Sequence, residues 1–203
     1  ALLVVFDEAG MMWSASGQAV LANSLHAASV PDADLRPLRY RPYRVAANKT
    51  LCFFRDDKLS DMIGFEFSKW HANDAVSHFV AELETILQQT PEHETPVVSV
   101  ILDGENAWEY YPYNGYFFLD ELYTALENHP DIHPHSFSSY LDGRATHPHP
   151  AQLGELRGLV AGSWVYGTFS SWIGEPEKNH AWDLLARAKQ QYDLVMTSDT
   201  LND

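Results

Sequence analysis

Three carboxylates and three aromatic rings crowd into one short stretch: Asp103, Glu105 and Glu109 with Trp108, Tyr110 and Tyr111, and Asn106 among them. Rings of this kind cover the apolar faces of a sugar, while carboxylates and an amide bind its hydroxyls. A carboxyl group can also protonate a glycosidic oxygen and afterwards take a proton from water, the acid/base half of glycoside hydrolysis. Turn chemistry alone accounts for an Asp-Gly pair such as Asp103-Gly104. The other acids and rings exceed what a turn needs, and packing like charges together has an electrostatic cost that a turn gives no reason to bear.

The cluster comes directly after Val97-Val98-Ser99-Val100-Ile101-Leu102, a run of mostly β-branched residues that reads as a strand buried on both faces, as in parallel sheets. In barrels and open α/β sheets the chemistry sits at the carboxyl ends of such strands, where Asp103 falls. A second buried strand is expected over 51–54, ending in Arg55-Asp56-Asp57. There an Arg beside an Asp can orient a hydroxyl or hold a carboxylate in its charged form, or the pair can simply cap and brace a loop.

The remaining elements alternate. A helix end over 1–9 stops at Gly10, a short strand covers 11–14, and a helix-like run covers 17–27. Between 31 and 44 lies a polar loop holding four arginines, read chiefly as salt-bridging to the acidic remainder. Ser60 or Asp61 is expected to cap the segment beyond residue 57. Apolar residues recur at helical spacing from 74 to 89, with Asn73 or Asp74 as cap, and an amphipathic helix is expected over 117–127. A weaker strand and a cap signal lie in 132–140. After 153 the pattern turns helical and Trp-bearing, ending in a helix over 179–195. Alternation of this kind implies a parallel sheet with helices around it.

Composition narrows the partners. The 203 residues are 45% apolar and 13% aromatic, with six Trp, a globular makeup able to bury a sizeable core. A formal net charge of −15, unbroken by any Lys/Arg cluster outside the 31–44 loop, opposes nucleic acid phosphates and anionic membranes and leaves neutral substrates. Cys52, the only cysteine, sits in Leu51-Cys52-Phe53-Phe54 and reads as a small buried hydrophobe. No run is long or apolar enough to cross a membrane.

The stretch from Asp103 to Pro112 resembles the fourth sequence block of glycoside hydrolase family 57, retaining enzymes active on α-glucans. Three other segments agree in order: Glu8 to Ser16, Phe54 to Phe65 with its Arg-Asp, Leu-Ser-Asp and Ile-Gly-Phe parts, and Gly162-Ser163-Trp164 with Ser171 to Trp182 after it. The resemblance implies a general acid/base at Asp103, with substrate contacts from Arg55, Asp56, Glu105, Trp108, Tyr111, Trp172 and Trp13, and no cofactor or metal. Trp172 could stack on a glucosyl ring or anchor the last helices, whereas Trp164 and Trp182, set among apolar neighbours, are read as structural. Ser16-Gly17-Gln18 departs from the family by replacing an acidic pair that many members carry there.

In this family the nucleophile is a Glu in a block that precedes the segment resembling Glu8 to Ser16. The chain is therefore read as the later part of a catalytic domain: residues 1–145 as part of a distorted (β/α)7 TIM-like barrel, and 146–203 as a helical segment packing on it. The partner implied is an α-glucan, with self-association through open sheet edges as a further expectation and a cytoplasmic location.

Two other classes stand beside this one. Without its nucleophile the chain could be a glucan-binding or assembly fragment. His129, His133, His135, His147 and His149 could instead bind zinc, as in metal-dependent mannosidases and deacetylases. The prolines after His129, His133, His147 and His149 favour extended loops in which imidazoles need not converge.

Overall fold

The structure, a computed structural model, describes residues 2–31, 35–105, 107–143 and 152–198. Four strands, β1 (Trp13–Ser16), β2 (Tyr43–Val45), β3 (Leu51–Phe54) and β4 (Gly154–Leu156), form one sheet in the order β1-β3-β2-β4. β1 runs parallel to β3 with Trp13 opposite Leu51 and Ser16 opposite Phe54. β2 runs antiparallel to β3, and β4 parallel to β2. The sheet is thus mixed, which corrects the all-parallel expectation, and it is open among the described residues. The strand that breaks the pattern lies inside the expected arginine loop. Tyr43 and Val45 are buried there on either side of exposed Arg44, an alternation short enough to be lost among its charged neighbours.

Alternation along β3 sends its side chains to two layers. Cys52 and Phe54 pack with Tyr43, Val45 and Leu156 against Val20, Leu21 and Leu25 of the helix α2 (Gln18–Ala27). Phe53 faces the other way and stacks on Phe137 at 4.4 Å, with Trp13 on the same ring at 4.8 Å. Phe137 opens the short helix α7 (Phe137–Gly143), where Ser136 caps by accepting the Ser139 amide. A helix with a Ser cap therefore replaces the weaker strand expected near 132–140.

A second core lies beyond the sheet's carboxyl end. The helices α5 (Ala72–Gln88) and α6 (Tyr116–Asn128) pack together through Ala75, Val76, Phe79, Phe118 and Leu122, with Leu59, Ile63 and Phe67 filling in from a helical run. That run starts as α4 (Asp57–Asp61) and passes through a π turn over Met62–Glu66. Its cap is Asp56, whose Oδ1 accepts the Leu59 amide at 2.9 Å, so the cap lies upstream of the expected Ser60 or Asp61. α5 begins after His71 without a side-chain cap, in place of one from Asn73 or Asp74.

Residues 97–102 form no ladder. Ser99 bridges Arg55 in parallel, and Val98, Val100 and Leu102 pack on the α5–α6 core. The end of β3 flanks this segment on one side, and among the described residues no strand pairs with the other. A single bridge and partial burial are the result, in place of the doubly buried strand expected.

The remaining helices are α1 (Leu2–Glu8), closed by Gly10 at φ 73°, α3 (Leu35–Leu38) and α8 (Pro176–Thr197). No residue of α8 is buried. Three of the four loop arginines pair as expected: Arg39 with Asp56 at 3.4 Å, Arg41 with Glu94 at 3.4 Å, and Arg44 with Glu155 at 3.6 Å. Among the described residues no helix is long and apolar enough to cross a membrane.

Candidate functional site

The carboxyl end of β3 carries Arg55 and Asp56, and both are buried. Arg55 donates from Nε to the Ile101 carbonyl at 2.9 Å, from Nη1 to Asp57 at 2.9 Å and from Nη2 to Asp61 at 2.7 Å. Burial alone would lower its pKa, but hydrogen bonds and charge from Asp61 and Asp57 outweigh that and raise it, so the guanidinium is firmly charged. The ring of Trp164 lies 5.8 Å from its Cζ, within cation–π range.

Asp56 is fully engaged inside the protein. One oxygen caps α4, and the other accepts the Tyr40 hydroxyl at 3.0 Å and Arg39 Nη1 at 3.4 Å. Burial, helped by the Asp56 charge, pushes the Tyr40 hydroxyl up to about 12. The Asp56 carboxylate, 2% exposed and already bonded on both oxygens, braces the loop and has no free face for a sugar. Arg55 likewise spends a donor from each of its three guanidinium nitrogens on bonds inside the protein. In the structure both residues brace the loop, one of the two readings open to them at a strand's end.

Next to this brace the chain leaves the sheet. Ile101 donates its amide to Ser60 Oγ at 3.2 Å, and two residues on, Asp103 is exposed, as are Glu105 and Glu109 beyond it. Asn106 lies outside the described residues. Trp108 is half-buried, edge-on to Tyr111 at 5.5 Å. Tyr111 does not line a surface: it is 6% exposed and donates its hydroxyl to the Ile63 carbonyl, and burial raises its pKa. The rings that do face solvent here are Tyr110 and Tyr113, the latter in a left-handed turn at φ 53°.

Trp13 donates its indole N–H to Ser138 at 2.9 Å and borders an open concavity of about 520 Å³ along the free edge of β1. A smaller one of about 140 Å³ lies between Tyr40, Arg41, Glu94 and Thr90. Neither includes Asp103. Trp172 is 43% exposed and accepts the Trp182 indole N–H at its carbonyl. Trp164, read from its neighbours as structural, is half-exposed and sits over Arg55. Its seat is Gly17, where a Cβ would come within 2.8 Å of the Trp164 Cα. The sequence signal for this pairing is the unusual Ser16-Gly17-Gln18, which by itself shows only a departure from the family pattern. His129 contacts Glu84 and the Asp131 amide; His147 and His149 lie outside the described residues, and among those described no group of three ligands could hold a metal.

Beside the carboxyl end of β3, the segment that follows residue 102 presents exposed Asp103, Glu105 and Glu109 near the rings of Trp108 and Tyr110 in a mixed α/β fold. The family model for glycosyl hydrolase family 57 matches residues 1–152, most of the chain, and the protein belongs to that family. No curated protein matches it.

Proposed function

We propose that the full-length protein containing this chain is a retaining glycosidase acting on α-glucans, by hydrolysis or by 4-α-glucanotransfer, with Asp103 as general acid/base. The observation that supports this is an exposed Asp103 carboxylate two residues beyond a backbone segment braced beside the carboxyl end of β3, in a member of a glycoside hydrolase family.

In a retaining mechanism two carboxyl groups stand about 5 to 5.5 Å apart. One attacks the anomeric carbon; the other protonates the departing oxygen and then deprotonates water or an acceptor sugar. Asp103 takes the second role, and the nucleophile is a Glu in the block that the family places ahead of the segment around Glu8 to Ser16. Glu105 binds a hydroxyl, and Trp108, Trp172 and Trp13 contribute ring faces. Whether water or a sugar accepts the glycosyl group decides between hydrolysis and transfer. The net charge of −15 suits a neutral glucan.

The test is release of reducing sugar from a soluble α-1,4-glucan by full-length wild type and Asp103→Asn. Turnover is expected to fall on the order of 10²–10⁴-fold in the variant, the range for loss of a general acid/base, with glucan binding retained. Undiminished turnover in Asp103→Asn removes this residue from the mechanism. Glucan binding without turnover in wild type favours a binding role.

A further inference from the structure

We infer that Arg55 and Ser60 are positioning residues for Asp103, and that Trp164, outside the matched region, latches Arg55 in that role. The inference rests on Asp103 being the acid/base.

In a β-ladder the N–H and C=O of alternate residues are fixed by the neighbouring strand. Between β3 and the segment at 97–102 that pairing ends at Ser99, whose carbonyl accepts the Asp56 amide at 2.8 Å. Nearer to Asp103, side chains take over. Ile101 gives its amide to Ser60 Oγ and receives Arg55 Nε on its carbonyl, so both polar backbone groups two residues before Asp103 are gripped by side chains, one from the residue after β3 and one from α4. Ser60 is 0% exposed and Arg55 7%, and neither has room to drift.

Arg55 is held in turn from three directions, by Ile101, Asp57 and Asp61, which only a planar fork of donors can satisfy together. A lysine ammonium has no such fork. Trp164 covers the guanidinium, and drier surroundings strengthen the hydrogen bonds beneath it. The Trp164 loop is fixed on α2 by contact with Gly17 and by Asn23, which donates to the Gly167 carbonyl at 3.1 Å. A chain of contacts therefore runs from Trp164 through Arg55 and Ile101 to Asp103.

The experiment separates a misplaced acid from a damaged fold by changing the leaving group. An α-glucan needs a proton on its departing sugar oxygen. In α-glucosyl fluoride the C1–F bond breaks as C1 bonds to the nucleophile, and fluoride leaves unprotonated. Azide then displaces the carboxylate from C1, giving glucosyl azide, without a general base. Full-length wild type, Arg55→Lys, Ser60→Ala, Trp164→Ala, Trp164→Phe and Asp103→Asn are assayed on both substrates, with azide present for the fluoride.

The expected result is a fall in glucan kcat of roughly 10–100-fold for Arg55→Lys, Ser60→Ala and Trp164→Ala, the scale of a misplacement near 1 Å. KM and fluoride turnover stay near wild type, and Trp164→Phe recovers most of the loss. Equal falls on both substrates, or no fall on either, overturn the positioning role. Should Arg55→Lys fail to fold, Trp164→Ala, altering a half-exposed ring, decides the question by the same comparison. Asp103→Asn must itself show the split between substrates; if it does not, the acid/base reading fails and takes this inference with it. A split in Asp103→Asn alone overturns only the positioning role.

Discussion

Tyr111 and Trp108 stand three residues apart and meet edge to face, yet only Trp108 is partly exposed. Residue type and spacing cannot distinguish them, because the next turn of the chain sets the direction. Tyr113, Asn114 and Gly115 all adopt positive φ, and this tight left-handed turn brings Phe118 under the Tyr111 ring at 5.2 Å. Tyr111→Phe is expected to lower stability by about 1–2 kcal/mol, the cost of leaving the buried Ile63 carbonyl without its donor, and to leave glucan affinity unchanged. Urea unfolding and a glucan-binding titration read the two effects separately. Arg55-Asp56 was legible as a pair with a purpose, and Arg55 as a residue at a strand's end. Its actual partners were not: Tyr40 and Arg39 reach Asp56 from a distant loop, and Trp164 reaches Arg55 from the far end of the chain. Gly17→Ala tests that last contact, since the added methyl meets Trp164 backbone. A loss of roughly 1–3 kcal/mol in urea unfolding is expected, as for overpacking elsewhere.

Elements defined by their own period were readable; those defined by a neighbour were not. α5 and α6 carry apolar residues at helical spacing, and each formed within a few residues of the expected limits. β3 was read to the residue because four apolar residues end abruptly in three charged ones. Residues 97–102 have a more strand-like composition than β3, but a strand needs a pairing partner on its flank, and the described chain supplies one bridge. Composition reports what a segment can do and says nothing of what lies beside it. The same reasoning explains β2, three residues long and hidden in an arginine-rich stretch until β3 and β4 are placed on either side. The α5–α6 pair, in contrast, is held by its own contacts. Phe79→Ala, in the middle of that core, is expected to cost about 3–5 kcal/mol, measured as a shift in the urea midpoint at unchanged slope.

At the scale of the molecule, burial raises the pKa of a buried thiol and of several tyrosine hydroxyls. Burial pushes the Cys52 thiol from 9.0 to about 11, and burial pushes the Tyr43 hydroxyl from 10.0 to about 12, beside Tyr40 at about 12. Each folded value is raised, so the stabilising contribution is whole below the ordinary value and is lost as pH climbs through the raised one. Stability is expected to decline from pH 9 as Cys52 begins to ionise in the unfolded chain, and more steeply above pH 10 as the tyrosines join it. Urea midpoints across this range check the slope, and Cys52→Ala is expected to delay its onset. Cys52 and Tyr43 lie in the sheet's core, whereas Tyr40 packs on the α5–α6 core together with Tyr111, whose hydroxyl pKa is also raised by burial, so alkaline loss reports on both cores.

The strand order has a consequence for how the protein is made. A chain leaves the ribosome from its amino end, and parts that can fold do so as they emerge. β1, β3 and β2 are all available once residue 54 is out, but the outer edge of β2 belongs to β4, at Gly154–Leu156. Through the synthesis of everything between, a three-stranded nascent sheet carries an unpaired edge that accepts any extended segment near it. On a polysome such segments also come from the neighbouring nascent copies of the same chain. Arrival of β4, with the Ala46 amide closing on the Leu156 carbonyl at 2.7 Å, ends that interval. Translation speed between residues 54 and 156 thus bears directly on how much newborn protein pairs with itself and how much with its neighbour.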